Sequence, residues 1–456
     1  MRLVAALFAV AVQFSMAGQE TVTPRDLADI RRRLDDQSRQ IAELEAQNRA
    51  LRETVERLQT AAPMIVSNAV AAAQTSASAP PPASSDKAAA LLAPLTDRGV
   101  RIKPYGYIKL DMIHNSSKTD GDDYSFYVRP PWESGGGSSE STIGMRESRL
   151  GMDMVAPETE NGINVTGKFE IDFYSGTVAS PNMRIRHAYL NLDMGDGWSV
   201  LAGQTYDAWW VAYPMILDGG WAGGTGHPYN RRPQLRLTKT HTFDDGTRLT
   251  ARIAAVQNAG TDLDKNLVDD GPASNWPMIQ GALILEKKLL TEKASTLSLS
   301  GSYGREKIEA APNPSADGTY DTELLMANAI LPIWRKFSLT GSLYAGQNMD
   351  TYKAGICQGV NMTRGIPIDS RGGWLQGTVD LTSKWQFNLG YAFEDTDDAD
   401  LEYRDRSFNS RYYINAFYTL TPHVKVAGEY GYLLTDFLDD GSASDNQLHF
   451  AMYYFF

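Results

Sequence analysis

Basic residues recur in this sequence inside short apolar runs. Arg149 precedes Leu150, Arg236 lies between Leu235 and Leu237, and Arg252 lies between Ala251 and Ile253. Lys109 and Lys168 have similar settings, in YIKLDM and VTGKFE. A charge on every second residue of an apolar run is costly in an ordinary core. It suits a strand with one face wet and the other in hydrocarbon. The fixed fork of donors on arginine matches carboxylate and phosphate oxygens, so these positions offer reversible anion binding. Acidic residues occupy the same parity at Asp111, Asp153, Glu170, Asp172, Asp380, Glu394 and Glu429. A blander arrangement, in which the arginines simply pair with Glu170, Asp172 and their neighbours, competes with solute binding.

The segment RIRHAY does not fit the alternation. Arg184 and Arg186 share parity with Leu190 and Leu192, which predicts that they face outward unless a bulge intervenes. His187 and Tyr189 are then the inward residues. Further on, the stretch AWWVAYPMILDGGWAGGTGHPYNRRPQ is too apolar for a freely solvated loop. Trp209, Trp210, Tyr213, Trp221 and Tyr229 supply the aromatic surface, and the glycines from Gly219 to Gly226 permit sharp bends. Folded into a lumen, this loop would form a constriction beside Arg149, Arg236 and Arg252, with Arg231 and Arg232 at its end. The candidate pore-lining or solute-binding residues are therefore Lys109, Arg149, Lys168, His187, Arg231, Arg232, Arg236 and Arg252.

The elements that must position these residues are strands. From about residue 100 onward the sequence alternates with period two, as in Lys103 to His114, Thr142 to Val155 and Ile163 to Phe173. Short turns such as Gly195-Asp196-Gly197, Asp244-Asp245-Gly246 and Ser383-Lys384 alternate with long polar loops. That asymmetry, about 16 strands and aromatics near the strand ends predict an all-β, antiparallel transmembrane barrel. Trp198, Trp276, Trp334, Trp374 and Trp385 are the expected tryptophans of the interfacial girdles. The run DNQLHFAMYYFF places Leu448, Phe450, Met452, Tyr454 and Phe456 on one face, with Gln447, His449, Ala451 and Tyr453 opposite. As an open edge it would invite aggregation; pairing with Gly106 to Met112 would close the barrel.

The first hundred residues read differently. Residues 1–17 resemble an export signal, with Arg2, an apolar core from Leu3 to Phe14 and small residues at Ser15 and Ala17. Residues 18–60 carry heptads, with Leu27, Leu34, Ile41, Asn48 and Val55 in one register and Ile30, Gln37, Leu44, Leu51 and Leu58 in the other. This predicts an N-terminal coiled-coil helix. Residues 61–99 form an Ala/Pro-rich linker, and residues 100–456 the barrel.

With 456 residues, a net charge of -12 and a single cysteine, the chain points away from nucleic acid as a partner and permits no intrachain disulfide. No nucleophile elbow, zinc-binding HExxH or paired catalytic carboxylates appear, so no enzyme activity is expected. The acidic outer loops lack the ligand spacing of a calcium loop. No metal site and no cofactor are expected.

Several motifs, in order, resemble the DcaP-like trimeric outer-membrane porins: Tyr105-Gly106-Tyr107-Ile108-Lys109-Leu110-Asp111, Arg146-Glu147-Ser148-Arg149-Leu150-Gly151, Arg184-Ile185-Arg186-His187-Ala188-Tyr189 and Leu201-Ala202-Gly203-Gln204-Thr205. The sharp motifs are confined to the first five strands. The resemblance implies a homotrimer in the bacterial outer membrane, in contact with lipid and lipopolysaccharide. It also implies passive uptake of small anionic solutes such as dicarboxylates. A phosphate-selective porin is the alternative with the same fold. A coiled coil that tethers the envelope through peptidoglycan is the alternative with a structural role.

Overall fold

The computed structural model describes residues 99–157, 159, 161–218, 225–259, 271–307 and 318–456. The expected signal, coiled coil and most of the linker lie outside the described residues, as do Trp221 and the glycines from Gly219 to Gly224.

The described residues form a barrel of sixteen antiparallel strands. They are β1 (Arg101–Asn115), β2, β3 (Asn164–Gly176), β4 (Pro181–Asp193), β5 (Trp198–Tyr206), β6 (Arg231–Thr242), β7 (Arg248–Val256) and β8 (Met278–Lys287). The second half comprises β9 (Ser295–Lys307), β10 (Thr319–Trp334), β11 (Phe337–Gln347), β12 (Asp369–Asp380), β13 (Trp385–Thr396), β14 (Arg406–Thr421), β15 (Val424–Phe437) and β16 (Ser442–Phe455). Strand β2 is interrupted. Its two pieces, Glu140–Gly144 and Arg149–Val155, both pair with β1. Each strand pairs with its sequence neighbours, and β1 pairs with β16 from Tyr107↔Phe455 to Asn115↔Gln447. The sheet therefore closes and leaves no edge.

Alternation decides which face is which. In β1, Ile108, Leu110 and Met112 are exposed, while Lys109, Asp111 and Ile113 are buried. In β16, Leu448, Phe450, Met452 and Tyr454 are exposed, and Gln447, His449, Ala451 and Tyr453 are buried. A continuous apolar outer face is what hydrocarbon requires of a spanning sheet. Among the described residues no helix is long and apolar enough to cross a membrane, so the strands do it.

At one end the connections are short turns. At the other end, L1 (116–139), L3 (207–230) and L6 (348–368) are long, whereas 177–180 and 438–441 span only four residues. The last connection is shorter than its polar composition predicts, because β15 and β16 keep pairing through Asp436↔Ser442. Trp198, Trp276, Trp334 and Trp385 sit on the outer surface as girdle residues. Trp374 does not. It shares parity with Ser370 and Gln376, is 4% exposed and faces inward, where it serves L3.

Candidate functional site: the basic wall and the inward loop

L3 folds into the barrel. Several polar groups along its described residues find partners on the wall, as buried backbone must. The amide of Ala208 donates to Gln280 Oε1 on β8 at 2.9 Å, and that of Met215 to Gln376 Oε1 on β12 at 2.7 Å. Asn415 Nδ2 on β14 donates to the Met215 carbonyl at 2.7 Å. The Leu217 amide donates to Glu429 Oε2 on β15 at 3.0 Å, and Lys109 Nζ on β1 donates to the Leu217 carbonyl at 2.6 Å. Apolar contact completes the seat: Leu217 packs with Phe417, Ala427, Ala451 and Tyr453.

The return of the loop is held as firmly. Trp374 Nε1 donates to His227 Nδ1 at 3.1 Å. The Tyr229 amide donates to the Tyr352 carbonyl of L6 at 2.9 Å, and the rings of Trp209 and Tyr352 meet edge to face at 5.2 Å. L6 is itself anchored inward. The Ile356 amide donates to Glu394 Oε2 at 3.1 Å, and Tyr344 Oη donates to Glu394 Oε1 at 2.9 Å.

The eight solute-binding candidates separate into two groups. Lys109 and Arg232 are both fully buried. Lys109 pairs with Glu147 and with Asp111 at 2.9 Å behind the tip of L3. Arg232 lies 3.6 Å from Asp207, donates to the Thr351 carbonyl at 2.9 Å and covers the Tyr352 ring. The other six are only partly buried. Arg149 lies over the Tyr107 ring and 3.4 Å from Glu147. Lys168 pairs with Asp153 at 2.6 Å and donates to Tyr105 Oη at 2.9 Å. His187 Nδ1 lies 3.0 Å from Thr205 Oγ1. Arg236 donates to Gln234 and to the Tyr206 carbonyl, and Arg252 donates to the Ala208 carbonyl at 3.0 Å. Arg231, Arg236 and Arg252 form no ion pair among the described residues.

Arg184 and Arg186 turn inward because a bulge does intervene. His187 stands opposite Glu170 and Ile185 opposite Ile171, so Arg186 is the extra residue. Arg186 bonds Glu170 at 2.6 Å and Asp172 at 2.9 Å, and Arg184 bonds Asp172 at 2.7 and 2.9 Å. The pairing of arginine with Glu170 and Asp172 thus occurs, but with these two residues rather than with Arg149, Arg236 or Arg252.

The acidic residues that parity places inside are mostly consumed. Glu394 and Glu429 anchor the loops, and Asp111 and Glu147 neutralise Lys109. The acids of L3 are buried as well. Asp207 accepts from Gln280 Nε2 at 2.7 Å and from the Asn230 amide at 2.6 Å. Asp218 accepts from the Ser125 amide of L1 at 3.1 Å, and burial pushes its carboxyl up to about 7. What L3 offers toward the lumen is aromatic. Tyr206 and Trp210 stack at 3.8 Å with a 4° angle, Trp210 and Tyr213 stack at 5.4 Å, and Tyr213 is 49% exposed.

A closed sixteen-stranded barrel with an apolar outer face and a long loop folded into its bore defines an outer-membrane porin. Residues 60–438 match the Gram-negative porin family, and the chain belongs to it. Its role is that of a transport channel rather than an enzyme. Among solved structures, the outer membrane channel DcaP of Acinetobacter baumannii is similar, with a TM-score of 0.65 and 19% identity over 78% of this chain and 97% of that one. The anion-selective porin of Comamonas acidovorans is similar with a TM-score of 0.51 and 12% identity, over 78% and 100%. The trimer form of OmpT from Vibrio cholerae has a TM-score of 0.50 and 14% identity, over 78% and 99%. These likenesses concern the fold. A search of curated protein sequences returns no match.

Proposed function

We propose that this porin passes small anionic solutes by passive diffusion, with a preference for carboxylates of the dicarboxylate kind. One observation carries the reading: Arg231, Arg236 and Arg252 keep their charge without a carboxylate partner among the described residues, while the acids of L3 are buried and engaged. A passing anion then meets fixed positive charge with little competing negative charge, and fixed charges lining a bore set selectivity. Arg149, Lys168 and His187 extend the basic wall on either side. Trp209, Trp210, Tyr213 and Tyr229 belong to the loop that narrows the passage.

In this reading the chain works as a homotrimer, with residues 18–60 as a periplasmic coiled coil. The test is the anion-to-cation permeability ratio from single-channel reversal potentials. An Arg149/Arg236/Arg252 triple alanine variant should lose most of the anion preference and keep its heat-modifiable oligomer. Unchanged selectivity in a folded triple variant would remove the basis of the reading. Succinate should compete with chloride current better than phosphate does; the reverse order would favour the phosphate-selective alternative.

A further inference from the structure

The Tyr229 to Arg231 return of L3 contains an unresolved electrostatic problem. Arg231 Nη1 is buried and has no hydrogen-bond partner among the described residues, and Tyr229 Oη is in the same condition. The guanidinium lies over the Tyr206 ring at 5.2 Å, and the Tyr206 and Tyr229 rings are 6.2 Å apart. The carboxylates that might neutralise it are occupied, since Glu170 and Asp172 bond Arg186 and Arg184. Tyr206 Oη already accepts from Arg186 Nη2 at 2.9 Å, so its own hydrogen remains to be donated.

This neighbourhood therefore holds a surplus of donors and a surplus of positive charge. A buried guanidinium with neither counter-ion nor acceptor is strongly unfavourable. A water molecule would accept one hydrogen bond and leave the charge standing. A small anion answers both needs. We infer that Arg231 and Tyr229 hold a resident monovalent anion, either a halide or a single carboxylate group, at the root of L3. Arg231 as a whole is only partly buried, which leaves the ion an entrance. The bound anion would join L3 to β6 and stabilise the seated loop. The site therefore has a role apart from transport, although it deepens the anion reading of the same wall.

Crystals of the full-length protein grown without halide, then soaked in sodium bromide, provide the test. Anomalous scattering should place bromide within hydrogen-bonding distance of Arg231 Nη1 in wild type and not in Arg231→Gln. Tyr229→Phe, which keeps the charge, should need about tenfold more bromide for the same occupancy, as loss of one charge-assisted hydrogen bond predicts. Sodium acetate in place of bromide distinguishes the sources: a carboxylate in the same density identifies a solute-type ligand, and a site that takes bromide alone identifies a halide site. Either result supports the inference. Bromide confined to Arg149, Arg236 or Arg252, or a water molecule at Arg231 at saturating bromide, overturns it. Bilayer measurements separate the two readings: bromide at Arg231 in a channel without anion preference would keep this site and reject the transport proposal.

Discussion

Lys109→Met separates a scaffold lysine from a solute-binding one. Its ammonium is fully buried, pairs with Glu147 and Asp111, and donates to the Leu217 carbonyl. Methionine keeps the volume and removes the charge, leaving two buried carboxylates short of a partner. Breaking a buried pair in this way costs about 3–5 kcal/mol. Here the lower end applies, because Asp111 retains His449 at 2.7 Å and Glu147 retains Tyr107 and Arg149. A loss of about 3 kcal/mol changes the balance between seated and unseated loop by roughly 100-fold. The assay is open-channel current noise together with protease cleavage within L3. The variant should show frequent conductance fluctuations and faster cleavage, with ion selectivity nearly unchanged in the quiet state. A quiet channel with normal protection but diminished anion preference would refute the argument and return Lys109 to the bore.

Asp218→Asn addresses pH. Burial raises this carboxyl from an ordinary value near 4 to about 7, against the opposing pull of Arg411 at 3.9 Å. A group raised in the folded state stabilises most below its ordinary value, and that contribution is lost as pH climbs toward 7. L3 should therefore be held most tightly in mild acid and loosen by pH 8. The asparagine variant should flatten this dependence, and a wild-type loop whose protection rises with pH would contradict it. Gly226→Ala should unseat the return of L3. Gly226 has φ of +69°, and a Cβ there would lie 2.3 Å from the Gly373 carbonyl oxygen. Slower refolding or greater protease sensitivity is the expected result, by a few kcal/mol at most. Arg186→Met should strand Glu170 and Asp172 and lower thermal stability by about 3 kcal/mol or more; an unchanged melting temperature would show that Arg184 alone suffices.

The barrel was legible because strand alternation is a local property. Lys109 between Ile108 and Leu110 says which face is apolar without knowledge of any partner, and β16 announces itself in the same way. The inward loop was legible for a related reason, since three tryptophans and two tyrosines need cover that solvent does not provide. The outcome for single residues was harder to read. Parity says that Lys109, Glu394 and Glu429 point inward, and they do; it does not say that L3 and L6 lie on top of them. Tertiary contact, not alternation, makes those three anchors of the loops. The bulge at Arg186 left a trace in the sequence, two arginines at an impossible parity. The inward turn of Trp374 also left a trace, since it shares parity with Gln376 and Asp380, but residue type alone suggests the girdle.

The bulge in β4 also sets how closely charge can be spaced along the diffusion path. A regular strand offers one inward side chain about every 6.8 Å, twice the rise per residue. A bulge lets two consecutive residues face the same side. Arg186 and His187 occupy the place opposite Glu170 that a regular ladder would give to one of them, with Arg184 next along. The strand thereby carries more functional groups per unit of length than its pleat allows, without widening the barrel or adding a strand. Arg186, buried between Glu170 and Asp172, uses the added place to tie β4 to β3, while His187 keeps an inward position of its own beside Thr205.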